Sequence, residues 1–500
     1  FMCHGGSGGF SSNIGVAGAN KSGKNYESAS YGGAGSEGMS YIRMNDSGGI
    51  TKNYNAAATN TITLPYEPGD IIGVTIDADL KEFKYYRNGT LFFTDTGAQN
   101  YNNKTFFFTS WRTNDGAGTP GSNWSDVIAN FGQNPSFCGH GTAGTNTDSN
   151  GKGLFKYLPP SGFLALCTDN LPAPAIPDPG KHFKAVLYKG DDSKGRKIDV
   201  GFKPDLVWIK ARNASVSHCV MDSIRGYDMH FTNSNGSGSS GGTVYLSGFG
   251  NNGFDLDDGA NSGGNTAGRD YVAWCWKAGG KAVKNNDGAD ESLVSANREA
   301  GFSIVRSTSA GTIGHGLSTT PQFIITKRDM ATSSWSVQHH EMMTSATGKI
   351  LMDSNAGVVA SSTTYMFDAD ATTFKSVYGA DASIHYCWHE VEGYSRFGSY
   401  LGNADSDGPF CWCGFRPAYV LIKNTSSGEW CIWDSSRSPY NEMQDALRPN
   451  DNAIETDGFQ FDFYSNGFKA RDTESSVNLE GDKYIYAAFA ESPFQTANAK

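Results

Sequence analysis

The chain has 500 residues, a net charge of −11, 38% apolar and only 18% charged residues. So little charge excludes a coiled-coil rod and charge-driven disorder, because helical rods and solvated tails are rich in Glu, Lys and Arg. Lys and Arg form no basic stripe and no apolar run approaches the ~20 residues of a membrane span, which excludes nucleic-acid binding and membrane insertion.

The 62 glycines, with abundant Ser, Thr, Asn and aromatic residues, point to turn-dense β structure. The chain opens Phe1-Met2-Cys3-His4 without a basic-then-apolar leader and reads as part of a longer or processed polypeptide. Gly5-Gly-Ser-Gly-Gly9 fits GxSxG in form only, since no strand–turn–helix elbow surrounds it. Gly33-Ala-Gly-Ser-Glu-Gly38 fits GxGxxG, but Met39–Asn45 leads into a Gly-rich turn and not into the helix a pyrophosphate needs. Both read as loops.

The first clear pattern spans 69–92. Gly69-Asp70 precedes a strand at Ile71–Ile76, a turn, a strand at Glu82–Tyr86, an Asn88-Gly89 hairpin turn and a third strand. Asn-Gly supplies the positive φ angles of a tight hairpin. The pattern Gly-Asp-x-Ile-Gly-x-x-x-Asp, then Phe-x-x-Asn-Gly, with Asn130-Phe131-Gly132 further on, resembles the SPRY (B30.2-like) domain over about residues 26–170. The resemblance implies a β sandwich of jelly-roll type that binds partners through loops at one end and is not an enzyme.

Trp111 and Trp124 lie in Gly/Asn/Ser-rich surroundings and are the candidate ligand-binding residues. An aromatic face beside Asn and Asp groups suits sugar binding. Trp111 also follows the strand-like run Phe106–Ser110, where it would be core.

Asn170–Gly180 carries four near-alternate prolines and reads as a stiff linker. Beyond it the chain repeats. Pro204-Asp-Leu-Val-Trp-Ile-Lys210 recurs as Pro321-Gln-Phe-Ile-Ile-Thr-Lys327 and Pro417-Ala-Tyr-Val-Leu-Ile-Lys423. Each copy continues with a second strand (Ser217–Asp222, Ser334–His339, Glu429–Asp434), a Phe-led strand and a closing aromatic strand (Tyr271–Trp276, Ile384–Trp388, Tyr484–Phe489). Short strands at this spacing with Gly-rich turns predict antiparallel β sandwiches. The predicted fold is therefore all-β, tandem sandwiches: a SPRY-like domain at 1–169, a linker at 170–182, and repeats at 183–280, 301–393 and 396–494, with a second linker at 281–300. Each repeat is long enough to own a core. Lys210, Lys327 and Lys423 are expected where a strand end emerges into solvent, and His339-His340 is expected to face solvent.

His385, Cys387 and His389 alternate on one strand and could present zinc ligands. The sister copies carry Ala273/Cys275 and Tyr486/Ala488 there, so a packed strand is expected and no metal is assigned. Cys411-Trp-Cys413 places two thiols on one face as core filler. The nine cysteines include no CxxC pair and are expected mostly buried and reduced. Asp255–Asp258 and Asp405–Asp407 match no EF-hand and read as solvated turns.

The Gly-Phe-Lys-Pro-Asp-Leu-Val-Trp-Ile-Lys run, Tyr271–Gly280 and the closing Tyr484–Phe494 are similar to virion proteins of marine tailed bacteriophages. The resemblance implies a virion surface protein, assembled in the host cytoplasm, with other virion proteins and host-surface glycan or protein as partners and homo-oligomerisation, as in fibre trimers. No cofactor and no catalytic residue is assigned. A purely structural capsid or tail scaffold and a polysaccharide-degrading tail enzyme are the alternatives. The enzyme would need two carboxylates flanking a scissile bond, and nothing singles out two.

Overall fold

The computed structural model describes residues 2–4, 11–18, 39–45, 49–54, 58–63, 69–77, 79–80, 82–95, 106–112, 126–238, 245–257, 263–342, 348–360, 369–376 and 382–497. These residues are all-β, with antiparallel sheets and short 3-10 turns, and no described helix is long and apolar enough to cross a membrane. The chain forms two compact units, 1–172 and 173–500.

The first unit contains a five-stranded sheet in the order Ala58–Thr63, Gly49–Tyr54, Met39–Asn45, Ser11–Gly18, Phe106–Arg112, and a three-stranded meander Ile72–Asp77, Glu82–Arg87, Thr90–Asp95. The paired motifs of the sequence meet at one corner. Asn88 and Gly89 take φ of +48° and +82°, which turns the chain in two residues. The Asn88 carboxamide accepts from the Ile71 N–H at 2.9 Å and donates to Asp70 at 2.5 Å, while the Arg87 Nε donates to Asp70 at 2.7 Å. Gly-Asp and Asn-Gly, 18 residues apart, are thus two halves of one lock.

In the second unit each repeat forms one sheet in the same order. For the first it is Phe183–Lys189, Asp270–Trp276, Leu206–Ala211, Cys219–Asp222, His230–Phe231. The second matches with Phe302–Ser307, Ser383–Trp388, Phe323–Arg328, Ser336–His339, Gly348–Leu351, and the third with Ser395–Leu401, Lys483–Pro493, Phe415–Asn424, Trp430–Asp434. A smaller outer sheet covers each: Lys197–Asp199, Gly253–Leu256, Leu246–Gly250; then Gly311–Gly314, Thr373–Ser376; then Phe410–Trp412, Gly467–Ala470, Phe461–Tyr464. Residues 281–300, expected as a linker, instead add Val283–Asn285 and Ser292–Asn297 to the edge of the second repeat's sheet. The run Ser292-Leu-Val-Ser-Ala-Asn297 is short but has enough apolar side chains to pair there.

The apolar strands are buried on both faces, which explains their continuous rather than alternating hydrophobicity. One face of each large sheet meets its own outer sheet, as Val207 and Cys275 do with Ile198 and Phe254 in the first repeat. The other face joins a core shared by all three repeats. Register places Trp276, Trp388 and Phe489 at equivalent positions, opposite Leu206, Phe323 and Tyr419. Their ring centroids form a triangle with sides of 6.2, 5.6 and 6.4 Å. These rings line a residual cavity of about 20 Å³. The expectation that each repeat owns a separate core is corrected. The first two repeats each have a private layer, the third repeat's outer sheet packs into the shared core, and the three aromatic closing strands converge on one pseudo-threefold axis.

Candidate functional site

Polar side chains bridge the seams between repeats. Asp222 of the first repeat accepts from the Tyr386 hydroxyl of the second at 2.9 Å, and Asp434 of the third accepts from the Trp274 indole of the first at 2.9 Å. At the same position the second repeat has His339, which meets the Tyr486 carbonyl of the third at 3.0 Å. Backbone bonds follow the same rotation: Gly238 N–H to Asp329 O, Val358 N–H to Thr425 O, and Glu455 N–H to Arg212 O. Repeat one holds two, two holds three, and three holds one, so the ring closes.

Asp222 and Asp434 each also accept two backbone N–H groups and pair with a buried arginine three residues on, Arg225 at 2.6 Å and Arg437 at 2.5 Å. The carboxylates raise the affinity of both guanidinium groups for their proton despite burial. The sequence signal for this element is an Asp-Ser-x-Arg run present at matching places in two repeats, Asp222–Arg225 and Asp434–Arg437.

Two expectations are corrected at these seams. Lys210, Lys327 and Lys423 are fully buried, not solvent-facing. Each Nζ donates to carbonyls at the end of its strand: Lys210 to Ala211 and Ala214, and Lys423 to Asn424, Gly428 and, across the seam, Asn355. Lys327 likewise reaches Asn235 of the first repeat. Burial pushes all three down to about 8. The lysine recurs because a buried loop end needs a donor. His339 is likewise fully buried, because its strand lies inside the seam, and burial pushes it down to about 3.

His385 bonds to Thr326 at 2.9 Å and Ser307 at 3.2 Å, Cys387 packs in the second repeat's private layer, and His389 reaches Ser318. Among the described residues no group of three His, Cys, Asp or Glu side chains gathers to hold a metal. Six of the eight cysteines whose side chains are described are buried, and Cys138 is exposed. Asp407 is not a bare turn residue: Lys469 and Arg471 pair with it. Trp111 lies on the strand Phe106–Arg112, its side chain beyond the described set; Trp124, Gly5–Gly9, Gly33–Gly38 and Asp258 also lie outside the described residues.

What remains is a face that the threefold scaffold does not require. In the third repeat's outer sheet, Cys411 and Cys413 point inward, so Phe410 and Trp412 point out, 39% and 41% exposed. Cross-strand register sets Phe410 beside Lys469 and Asp462, and Trp412 beside Gly467 and Tyr464. These six positions form one outward face. Phe410 and Tyr464 meet edge to face at 5.9 Å, and the Arg396 guanidinium sits 5.6 Å from the Trp412 ring centre. The Tyr464 hydroxyl donates to Asp462 Oδ2 at 2.9 Å.

The sister repeats supply an internal control. Pairing with Phe254 and Phe374 aligns Phe410 and Trp412 with Lys197 and Asp199 in the first repeat and with Thr312 and Gly314 in the second. A positive-φ glycine closes each of the three strands two residues later, at Gly201, Gly316 and Gly414. The same backbone therefore accepts charged or small residues, and folding does not demand the aromatic pair. The sequence held the signal: alternation that buries Cys411 and Cys413 must expose Trp412.

A search of curated proteins and of solved structures finds no match. The family described as "Domain of unknown function (DUF7483)" matches residues 178–493, which span the whole three-repeat ring. On that match, covering more than half of its length, the chain belongs to this family of unknown function.

Proposed function

We propose that the chain is a bacteriophage virion surface protein, a tail-fibre or appendage segment, that recognises the host surface by non-covalent binding. The phage assignment rests on the sequence resemblance of the repeats and of the SPRY-like region. The observation that carries recognition is the Phe410–Trp412 pair, exposed where the sister repeats place Lys197–Asp199 and Thr312–Gly314. Rigid sheets carrying an exposed aromatic cluster hold their side chains ready for a partner and lose little entropy on binding. Repetition of such a subunit on one particle multiplies weak contacts through effective concentration.

The test is retention of the fluorescently labelled chain on a panel of marine bacterial isolates. The comparison is the double variant Phe410→Lys, Trp412→Asp, which installs the first repeat's own residues. That repeat also has a basic residue, Lys184, where Arg396 stands, so the variant is compatible with the fold. Retention by at least one isolate and its loss in the variant supports the reading. Equal retention of both forms, or no retention on any isolate, refutes it.

A further inference from the structure

One position closes each seam of the ring, and the first repeat fills it differently. Trp335 of the second repeat donates its indole N–H to the Phe231 carbonyl of the first at 2.8 Å, and Trp430 of the third donates to the Leu351 carbonyl of the second at 2.9 Å. Strand register puts His218 at this position in the first repeat, with Trp208 beside it where the sisters have Ile325 and Leu421. His218 is fully buried and stacked on Trp274, and its Nε2 turns to the Arg448 backbone of the third repeat without a close hydrogen bond. The Trp208 indole donates to His218 Nδ1 at 3.1 Å. With Nδ1 an acceptor the ring is neutral, and a second ring proton would point at the indole N–H. Burial, Lys210 on the adjacent strand and Arg437 of the third repeat together hold His218 well below the usual histidine range. The carboxylates on this side are committed elsewhere: Asp434 and Glu455 to Arg437, and Asp451 to Arg448.

We propose that the seam between the first and third repeats is an acid-sensitive latch, at which protonation of His218 opens the ring. This seam joins repeats that are not consecutive in the chain. The second repeat is tied to the first through Ser295 and Asn297, which donate to the Gly280 and Lys277 carbonyls, and to the third by the turn in which the Tyr394 and Ser395 N–H groups bond to the Val391 carbonyl. The ring therefore parts most simply between its first and third members. An open seam exposes His218 to water, where it titrates near ~6.5, while the closed seam refuses the proton. As pH falls below ~6.5 the open form gains, by up to about tenfold per pH unit while the closed form stays neutral.

Each seam has its own backbone reporter: Glu455 N–H to Arg212 O for third to first, Gly238 N–H to Asp329 O for first to second, and Val358 N–H to Thr425 O for second to third. The experiment is hydrogen exchange of the full chain between pH ~7.5 and ~5, read by mass spectrometry on peptides holding these amides and corrected for the intrinsic pH dependence of exchange. The expected result is that protection at Glu455 falls about tenfold or more toward pH ~5, ahead of Gly238 and Val358. Trp208→Ile with His218→Trp installs the second repeat's pair beside Trp274, where that repeat has the aromatic Tyr386, and abolishes the acid loss. His218→Gln keeps an acceptor for the indole but does not titrate in this range, and it gives the same result should thermal unfolding show that the double variant does not fold. Unchanged protection at Glu455, simultaneous loss at all three amides, earlier loss at Val358 or Gly238, or an undiminished acid loss in a folded variant overturns the proposal.

Discussion

Replacing Trp388 by Ala removes one corner of the aromatic triangle on the pseudo-threefold axis. Trp388 is 3% exposed and touches rings from all three repeats: Phe302 at 4.8 Å and Phe323 at 5.4 Å in its own, Trp276 at 6.2 Å and Phe489 at 6.4 Å across the seams. A buried tryptophan hides roughly 150–250 Å², worth about 4–6 kcal/mol at ~25 cal/mol per Å². Measured core truncations of this kind cost about 3–5 kcal/mol, and a partial collapse around the cavity accounts for the spread. Because the loss falls on a core common to three repeats, the destabilisation belongs to all of 173–500 at once. Scanning calorimetry with tryptophan fluorescence on the full chain reads this directly. The unfolding of 173–500 shifts as one cooperative transition, and Trp276→Ala and Phe489→Ala shift the same transition by similar amounts. The reasoning is refuted if Trp388→Ala splits that transition, lowering the second repeat's share and leaving the others in place, as separately cored repeats would behave.

Three further outcomes follow from the seams and the hairpin. Asp434→Ala strands the Trp274 indole and leaves the buried Arg437 with the Glu455 carboxylate, at a cost of about 3 kcal/mol measurable by denaturant titration. Burial pushes both His339 and His385 down to about 3, while an unfolded histidine titrates near ~6.5. As pH falls through the window between those values the unfolded chain takes up protons that the folded chain refuses. Stability therefore decreases from pH ~6.5 downward, and His339→Gln makes that decline shallower in unfolding titrations between pH ~7 and ~5. Asn88→Ala loses its bonds to Ile71 and Asp70 and places an ordinary side chain at φ +48°, weakening the hairpin by about 2 kcal/mol, read as faster hydrogen exchange across Ile72–Asp77.

Much of the fold was legible because turn chemistry and apolar runs are local. Asn88-Gly89 announced its hairpin, and Pro204–Lys210, Pro321–Lys327 and Pro417–Lys423 announced three equivalent strands. Ring closure was not legible. A strand buried on both faces reads as the same apolar run whether its second face meets its own repeat or a neighbour. For the same reason the recurring lysines looked like strand ends entering solvent: a chain-end cation and a buried carbonyl-binding cation have one sequence signature. His339 shared that fate, since the seam that buries it is built from residues of the third repeat. The exposed aromatic face was readable in principle from the alternation at Cys411-Trp-Cys413. Only the aligned sister positions, with Lys197–Asp199 and Thr312–Gly314, show that the scaffold does not need those rings.

The central claim is that Phe410 and Trp412 are kept free for an external ligand and not spent on assembly. Hydroxyl-radical footprinting of the intact particle, read by mass spectrometry at these two residues, tests it most directly. The account predicts that both side chains oxidise on the assembled particle as readily as in the isolated chain and become protected when retaining host cells are added. Protection on the particle alone, before any cell is present, would contradict it and make the face a contact between virion proteins.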